Sequence, residues 1–277
     1  MPFFLLFCAA MVAGFIGALD GIGGGFVLVP ILTAFGVDIR QAIAIGAVSV
    51  VAISTTASPR FLRHHLPNLK ATAFLEFFAI SGALIGAILT GLVSGRFLTI
   101  FCGFMVLISG LALRQTWKHK DRLLPPQNEN LLKETMLVGS YYDSADGKTV
   151  VYQGKHPLLG ALCMVGVGLI AGLLGGGGSI FIVLVAELVI GFPIKVSLSM
   201  SNLMMGVIAL AGMSVYLERG LINAQLIVPV IMGVVAGAFF GARLLKQLKG
   251  QIVRSVFFCV LLLLGIEMVY NGVIHLR

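Results

Sequence analysis

An apolar segment that is interrupted by a run of glycines occurs twice in this chain. The first copy extends over residues 14–30 and reads Gly-Ile-Gly-Gly-Gly at residues 21–25. The second extends over residues 168–184 and reads Gly-Gly-Gly-Gly-Ser at residues 175–179. Glycine destabilises a helix by about 1 kcal/mol per residue, so such runs predict an unwound segment. Unwound backbone inside a membrane is tolerated only where protein or a water-filled cavity receives its polar groups. The two breaks are therefore the first places to look for a binding site.

The rest of the chain is apolar enough for a membrane protein. Hydrophobic residues make up 58% of the 277 positions and charged residues 11%. Apolar runs recur along most of the sequence, each long enough for a helix across about 30 Å of hydrocarbon, and their continuous apolarity excludes alternating barrel strands. The formal charge of +8 fits basic loops that face the cytoplasm better than a nucleic-acid site. We expect an all-α polytopic protein with the lipid bilayer, and no nucleic acid, as its partner.

The two halves of the chain repeat each other at an offset of 155 residues without a gap. Cys8 then matches Cys163, Arg40 matches Lys195, and two small-xxx-small patterns, which predict close helix packing, match as well. Each half holds one broken segment and three whole ones. Internal duplication is common in transporters. We expect a first membrane repeat at 1–115, a cytoplasmic linker with a possible β-hairpin at 116–156, and a second repeat at 157–277.

Lys and Arg positions indicate how the broken segments lie, because these residues concentrate on the cytoplasmic side. If the broken segments cross the membrane, the cations divide twelve to seven; if they turn back, the division is fifteen to four. The four would be Arg40, Arg96, Arg219 and Arg277. The sharper division favours a re-entrant helical hairpin plus three transmembrane helices in each half, related as an inverted repeat with both termini outside. A parallel repeat with both termini inside is the alternative.

Each break has the chemistry of an anion site. The arm that follows a break begins there with unpaired N–H groups and about half a positive charge, and glycine lets the backbone approach a ligand closely. Such main-chain cradles bind anions, and polar residues of the next helix can complete the site. We expect the substrate to contact Gly23, Gly24, Gly25, Gly176, Gly177, Gly178, Ser179, Ser201, Asn202 and Ser49.

Some of these polar residues have structural alternatives. Serine hydroxyls such as those of Ser49 and Ser201 commonly bond a carbonyl of their own or a neighbouring helix, whereas the Asn202 amide needs a partner in lipid. Asp20, at the first break, is a candidate for proton coupling. It could equally cap the second arm or be a solvated turn residue. The second copy has Gly175 at the matching position, so symmetry does not require a carboxylate.

No metal, cofactor or catalytic group is expected. The four cysteines lie in apolar runs without zinc-ligand spacing, and the five histidines lie in predicted loops or at the terminus. An enzyme acting on a lipid phosphate would need Glu, His or Arg placed at the breaks. Residues 175–179 also lack the Lys-Ser/Thr ending of a Walker loop. A lipid-phosphate enzyme is therefore the least favoured function.

The two motifs, Gly21-Ile22-Gly23-Gly24-Gly25 with Pro30 and the run at residues 172–179, resemble those of the TauE/SafE family of sulfite and organosulfonate exporters. The likeness extends over nearly the whole chain. It implies a multi-pass permease of the bacterial or archaeal inner membrane that exports small sulfur-containing anions, driven by the proton gradient. A homodimer is compatible with the sequence. The remaining alternative is an anion channel of similar architecture, which would show much faster flux and no proton coupling.

Overall fold

The computed structural model describes residues 3–20, 24–63, 66–116, 137–143, 148–244 and 262–273, and it is mostly helical. The first half contains α1 (Phe3–Asp20), α2 (Gly25–Ala34), α3 (Ile39–Arg63), α4 (Leu69–Leu92) and α5 (Gly95–Thr116). The strands β1 (Val138–Asp143) and β2 (Lys148–Gln153) follow. The second half contains α6 (Pro157–Leu173), α7 (Ser179–Leu184) with a π-helical continuation (Val185–Ile190), α8 (Ile194–Glu218), α9 (Ala224–Leu244) and α10 (Leu262–Val273).

Three of these helices, α3, α4 and α8, are long and apolar enough to cross a membrane. With 24 or 25 residues each, they are about 36 to 38 Å long at 1.5 Å per residue. Large apolar side chains lie exposed on the outside of the helices, among them Phe77, Leu162 and Leu188. Such a surface suits a hydrocarbon surrounding.

The longest helix contacts follow the duplication. Helix α1 packs along α9, and α4 packs along α6. By the sequence offset, α6 is the counterpart of α1, and α9 is the counterpart of α4. The contact of α1 with α9 therefore corresponds to the contact of α6 with α4. Glycines permit the close approach. A side chain at Gly82 or Gly86 of α4 would collide with the α6 backbone, and one at Gly237 of α9 would collide with α1. The small-residue packing expected from the sequence is confirmed at these positions.

The two central helices, α3 and α8, lie against each other and run in opposite directions. Val50 of α3 and Ala209 of α8 both flank Gly176. One turn further along α3, the Ser54 hydroxyl donates to the carbonyl of Asn202, which lies nearly two turns earlier in α8. Contacts nearer the C-terminus of α3 are thus made with residues nearer the N-terminus of α8.

The second broken segment folds back on itself. The Lys155 N–H, just before α6, donates to the carbonyl of Ile190 at the end of the π-helical turn at 2.8 Å. The Ile190 side chain lies beside Gly160 near the start of α6, and Gly178 lies beside Val167 and Ala171 further along that helix. The two ends of residues 157–190 therefore lie next to each other.

Helix α2 begins beside the middle of α1. Gly24, at the start of α2, lies against Ala13 and Gly17 of α1. A single helix that continued straight beyond Asp20 would carry Gly24 away from both residues, since each residue adds 1.5 Å along the axis.

The constant offset of 155 residues predicted from the sequence is wrong by one residue in the broken segments. Helix α8 begins and ends 155 residues after α3. At the breaks, however, Gly178 packs beside Val167 in the same way as Gly24 packs beside Ala13. The equivalent residues there are 154 positions apart. The second half thus holds one more residue between its break and its long helix. The π-helical turn Val185–Ile190 accommodates that residue, because a π-turn contains one residue more than an α-turn.

The β-hairpin expected in the linker is present, and it packs on the helices. Strands β1 and β2 pair antiparallel, with Tyr141 opposite Val150. The Tyr152 ring contacts Phe192 edge to face, with the centroids 5.4 Å apart, and the Asn68 amide at the start of α4 donates to the Val138 carbonyl at 3.1 Å. We call this the hairpin end of the molecule and the opposite end, where α3 begins, the far end.

Candidate functional site

The two glycine breaks meet at the centre of the molecule. A Cβ placed on Gly25, at the start of α2, would lie 3.2 Å from the carbonyl oxygen of Gly175 in the second break. One placed on Gly177 would lie 3.1 Å from the Phe26 ring of α2. Elements from the two halves thus contribute to one region between α3 and α8.

Glycine is required at the turn of the second break. Gly175 and Gly176 have φ angles of +67° and +85°, a left-handed conformation that residues with a Cβ rarely adopt. A side chain at Gly175 would also collide with the carbonyl of Ile43 in α3. The break therefore combines a tight reversal with close packing of two backbones.

Ser179 is the first residue of α7, directly after the second break. Its side chain is completely buried, and its hydroxyl oxygen makes no hydrogen bond within the described residues. Its carbonyl accepts a hydrogen bond from the Ser201 hydroxyl of α8 at 2.9 Å. The α7 N-terminus also lacks a side-chain cap there. A buried hydroxyl without a partner is costly, so this position is suited to a polar ligand.

Asn202, which follows Ser201 in α8, supplies a second buried polar group. Its residue is 4% exposed, and its side-chain nitrogen has no hydrogen-bond partner in the part of the chain that the structure describes. Its carbonyl accepts from the Ser54 hydroxyl at 2.7 Å. The amide nitrogen can only donate, so it can bind an anionic or carbonyl oxygen.

Besides the Ser201 hydroxyl, two of the expected donors are occupied in this conformation. The Ser49 hydroxyl donates to the Gly46 carbonyl of its own helix at 2.6 Å, the structural alternative that its sequence position left open. The Gly176 N–H donates to the Ala171 carbonyl at 2.8 Å, which closes the turn after α6. Neither group can bind a ligand without giving up its present bond.

The described residues at the first break are closely packed. Gly24 fits between Ala13, whose carbonyl would lie 2.6 Å from an added Cβ, and the Ile53 side chain. Helix α2 begins after Gly24 without a side-chain cap. Gly23 lies outside the described residues. Asp20 ends α1, and its side chain lies outside the described part.

The site is closed. Every residue from 171 to 180 is buried, as are residues 24 to 30 of the first half. Gly178 packs on Ala171, with 2.7 Å from an added Cβ to the Ala171 Cβ. In this conformation the Ser179 and Asn202 side chains are therefore almost inaccessible to solvent. Within the described residues, no group of three His, Cys, Asp or Glu is arranged to hold a metal ion.

Comparison with known proteins gives the family. The family model for the sulfite exporter TauE/SafE matches residues 6–268. The chain is 27% identical to the probable membrane transporter protein YunE of Bacillus subtilis, over 99% of both chains. It is 22% identical to the probable membrane transporter protein YfcA of Escherichia coli, over 97% of this chain and 90% of that one. No solved structure matches the chain.

The family match agrees with the apolar helices. Its model covers nearly the whole chain, so the match is not confined to the glycine motifs. The relatives are membrane transporters by name. The chain is a multi-pass membrane transporter, not an enzyme, and it belongs to the sulfite exporter TauE/SafE family.

Proposed function

We propose that this protein is a secondary transporter that exports small sulfur-containing anions, such as sulfite or an organosulfonate. The observation that carries the proposal is the pair of buried polar groups beside the second break. The Ser179 hydroxyl and the Asn202 amide nitrogen have no hydrogen-bond partner among the described residues, and both lie on elements that meet at the break. A small oxyanion would supply the missing acceptors.

The charge balance favours an anion. Helices α2 and α7 both begin at the breaks, so their N–H groups and the positive ends of their dipoles lie where the two halves meet. Partial charges and neutral donors bind an anion weakly enough to release it. Hydrogen-bond donors suit the oxygens of sulfite or a sulfonate, which accept and do not donate when ionised.

The architecture that fits this function is an inverted repeat with two re-entrant hairpins. The antiparallel contact of α3 with α8 and the bond between Lys155 and Ile190 support it. The closed centre suits alternating access, in which the two halves rock about a site near the midplane. Proton coupling through Asp20 at the first break is part of the proposal.

The test is a flux measurement on purified protein in proteoliposomes. We expect labelled sulfite or 2-hydroxyethanesulfonate to move down an imposed proton gradient, and Asn202→Ala and Ser179→Ala to lower the rate about tenfold or more, since each removes a hydrogen bond to a charged ligand. Ser199→Ala is the matched control, because Ser199 is equally buried in α8 and donates to the Val196 carbonyl of its own helix.

Two results would contradict the proposal. Equal flux in the Asn202, Ser179 and Ser199 variants would remove the central site. Currents far above the turnover of an alternating-access carrier, with no dependence on the proton gradient, would instead indicate a channel of the same architecture.

A further inference from the structure

A cavity of about 260 Å³ lies at the far end of the molecule, away from the glycine breaks. It lies between the end of α2, the beginnings of α3 and α5, and the end of α10. We propose that this cavity is a second binding site, which takes a short organic sulfonate or a related organic oxyanion at the far face of the transporter. The inference rests on the proposed function and adds to it a second site, away from the glycine breaks.

The residues that line the cavity include both hydrogen-bond donors and hydrogen-bond acceptors. Arg96 lines the cavity on the first turn of α5, and Asn271 lines it from α10; a guanidinium and an amide both donate to oxyanions. The Thr33 and Thr99 hydroxyls donate to carbonyls of their own helices, at 2.8 Å to Pro30 and 3.0 Å to Gly95. These hydroxyls therefore offer only their lone pairs to a ligand.

The carboxylate at the cavity is engaged in the start of α3. Asp38 lines the cavity, and its Oδ1 accepts the Arg40 N–H at 2.9 Å. This bond caps the helix, and the capped N-terminus offsets part of the negative charge. The Arg40 guanidinium binds the Val93 carbonyl at 2.9 Å, close in sequence to the start of α5. Arg40 does not line the cavity; the cationic residue that lines it is Arg96, which can bind an oxyanion while the Asp38 carboxylate is engaged at the start of α3.

The cavity is larger than bare sulfite. A volume of 260 Å³ equals about nine water molecules at roughly 30 Å³ each, which is enough for a molecule of several carbon atoms. Val37, Ile39 and Met268 supply an apolar wall. A ligand with an oxyanion for Arg96, a short carbon chain for this wall and a hydroxyl for the threonines matches the lining; 2-hydroxyethanesulfonate is such a molecule.

Gly95 offers a variant that fills the cavity without changing its charge. The residue lines the cavity, and a Cβ there would meet nothing nearer than the Ile39 side chain at 3.5 Å. Gly95→Leu should occupy the space of the ligand, whereas Gly95→Ala adds one methyl group in ordinary contact and serves as the matched control. Arg96→Gln removes the charge at an exposed position, where a folding defect is not expected.

The experiment is calorimetric titration of the purified full-length protein with 2-hydroxyethanesulfonate and, separately, with sulfite. We expect 2-hydroxyethanesulfonate to bind wild type and Gly95→Ala alike, about tenfold more weakly to Arg96→Gln, and not at all to Gly95→Leu at the far-end site. Sulfite should bind more weakly than the sulfonate, and its binding should not change in Gly95→Leu. The unfolding temperature of each variant shows whether the fold is intact.

Unchanged sulfonate binding in folded Arg96→Gln and Gly95→Leu would overturn the inference, and so would equal sensitivity of sulfite and sulfonate binding to Gly95→Leu. If a variant is unfolded, the same comparison is made on Asn271→Ala, with the same two outcomes. The proposed transport function fails separately, when wild type shows no flux of either anion. If the far-end cavity does not bind the sulfonate but Asn202→Ala still lowers the flux, the proposed transport function stands.

Discussion

The Ser54 hydroxyl of α3 donates a 2.7 Å hydrogen bond to the main-chain carbonyl of Asn202 in α8. Both residues are buried. The bond joins α3 to α8, and it holds the residue whose amide nitrogen has no hydrogen-bond partner among the described residues. The contact between the halves and the candidate site therefore share one residue.

Loss of this bond should destabilise the central helix pair. We expect Ser54→Ala to lower the free energy of unfolding by about 0.6 to 1.7 kcal/mol, the range for hydrogen bonds between membrane helices. Thr55→Ala is the control, because Thr55 is exposed and donates only to carbonyls of its own helix. Thermal unfolding in detergent measures the difference. Equal stability of the two variants would show that the bond between α3 and α8 contributes nothing to the fold.

The second break should tolerate very little added volume. A Cβ at Gly177 would lie 3.1 Å from the Phe26 ring and 3.3 Å from the Leu174 side chain, so Gly177→Ala pushes apart the two breaks. We expect flux to fall about tenfold while the protein still folds, since the displaced ring can move by a few tenths of an ångström. In Gly166→Ala, the control, the added methyl group meets nothing within 4 Å. Flux in both variants equal to that of wild type would place the transport path elsewhere.

Much of the fold could be predicted from hydropathy and the repeat. The bounds of α3 and α8 differ by the predicted offset at both ends, and the β-hairpin appears between the halves. The one-residue difference at the breaks could not be predicted, because the π-helical turn Val185–Ile190 is as apolar as a regular helix. Only the packing of Gly24 and Gly178 on equivalent residues reveals where the extra residue lies.

The site was less accessible to sequence reasoning. Which hydroxyl crosses to a neighbouring helix depends on the face that it occupies, and Ser49, Ser54 and Thr55 are alike in type. The structure turns Ser49 and Thr55 to their own helix and Ser54 to α8. The far-end cavity is formed by the ends of four helices that are distant in sequence, so no local motif indicates it.

The packed β-hairpin should loosen at alkaline pH. Burial raises the pKa of Tyr152 from 10.0 to about 12, while its hydrogen bond with Asn68 acts in the opposite direction and nearby Tyr141 raises the pKa further. The folded state therefore holds the phenolic proton more tightly than the unfolded chain. The resulting stability is complete below pH 10 and is lost as the pH rises from about 10 to about 12.

Tyr152→Phe tests this dependence, because phenylalanine keeps the edge-to-face contact with Phe192 and has no proton to lose. We expect its unfolding temperature to fall less than that of wild type between pH 10 and pH 12. Tyr142→Phe is the control, since Tyr142 lies on the same strand and is 62% exposed; it should keep the wild-type profile. A parallel decline in all three proteins would assign the alkaline loss to other groups.

The orientation of the two halves can be tested at the starts of α3 and α8. Asp38 and Lys195 are both exposed, and they lie at the beginnings of helices that are antiparallel in the structure. In an inverted repeat, Asp38→Cys should react with a membrane-impermeant maleimide from outside intact cells, and Lys195→Cys should react only after the cells are opened. In a parallel repeat both positions lie on the same face. A background without the four native cysteines is required, and its flux must match that of wild type. Labelling of both positions from one side would contradict the inverted repeat, because the contact of α3 with α8 would then have to form between helices that enter the membrane in the same direction.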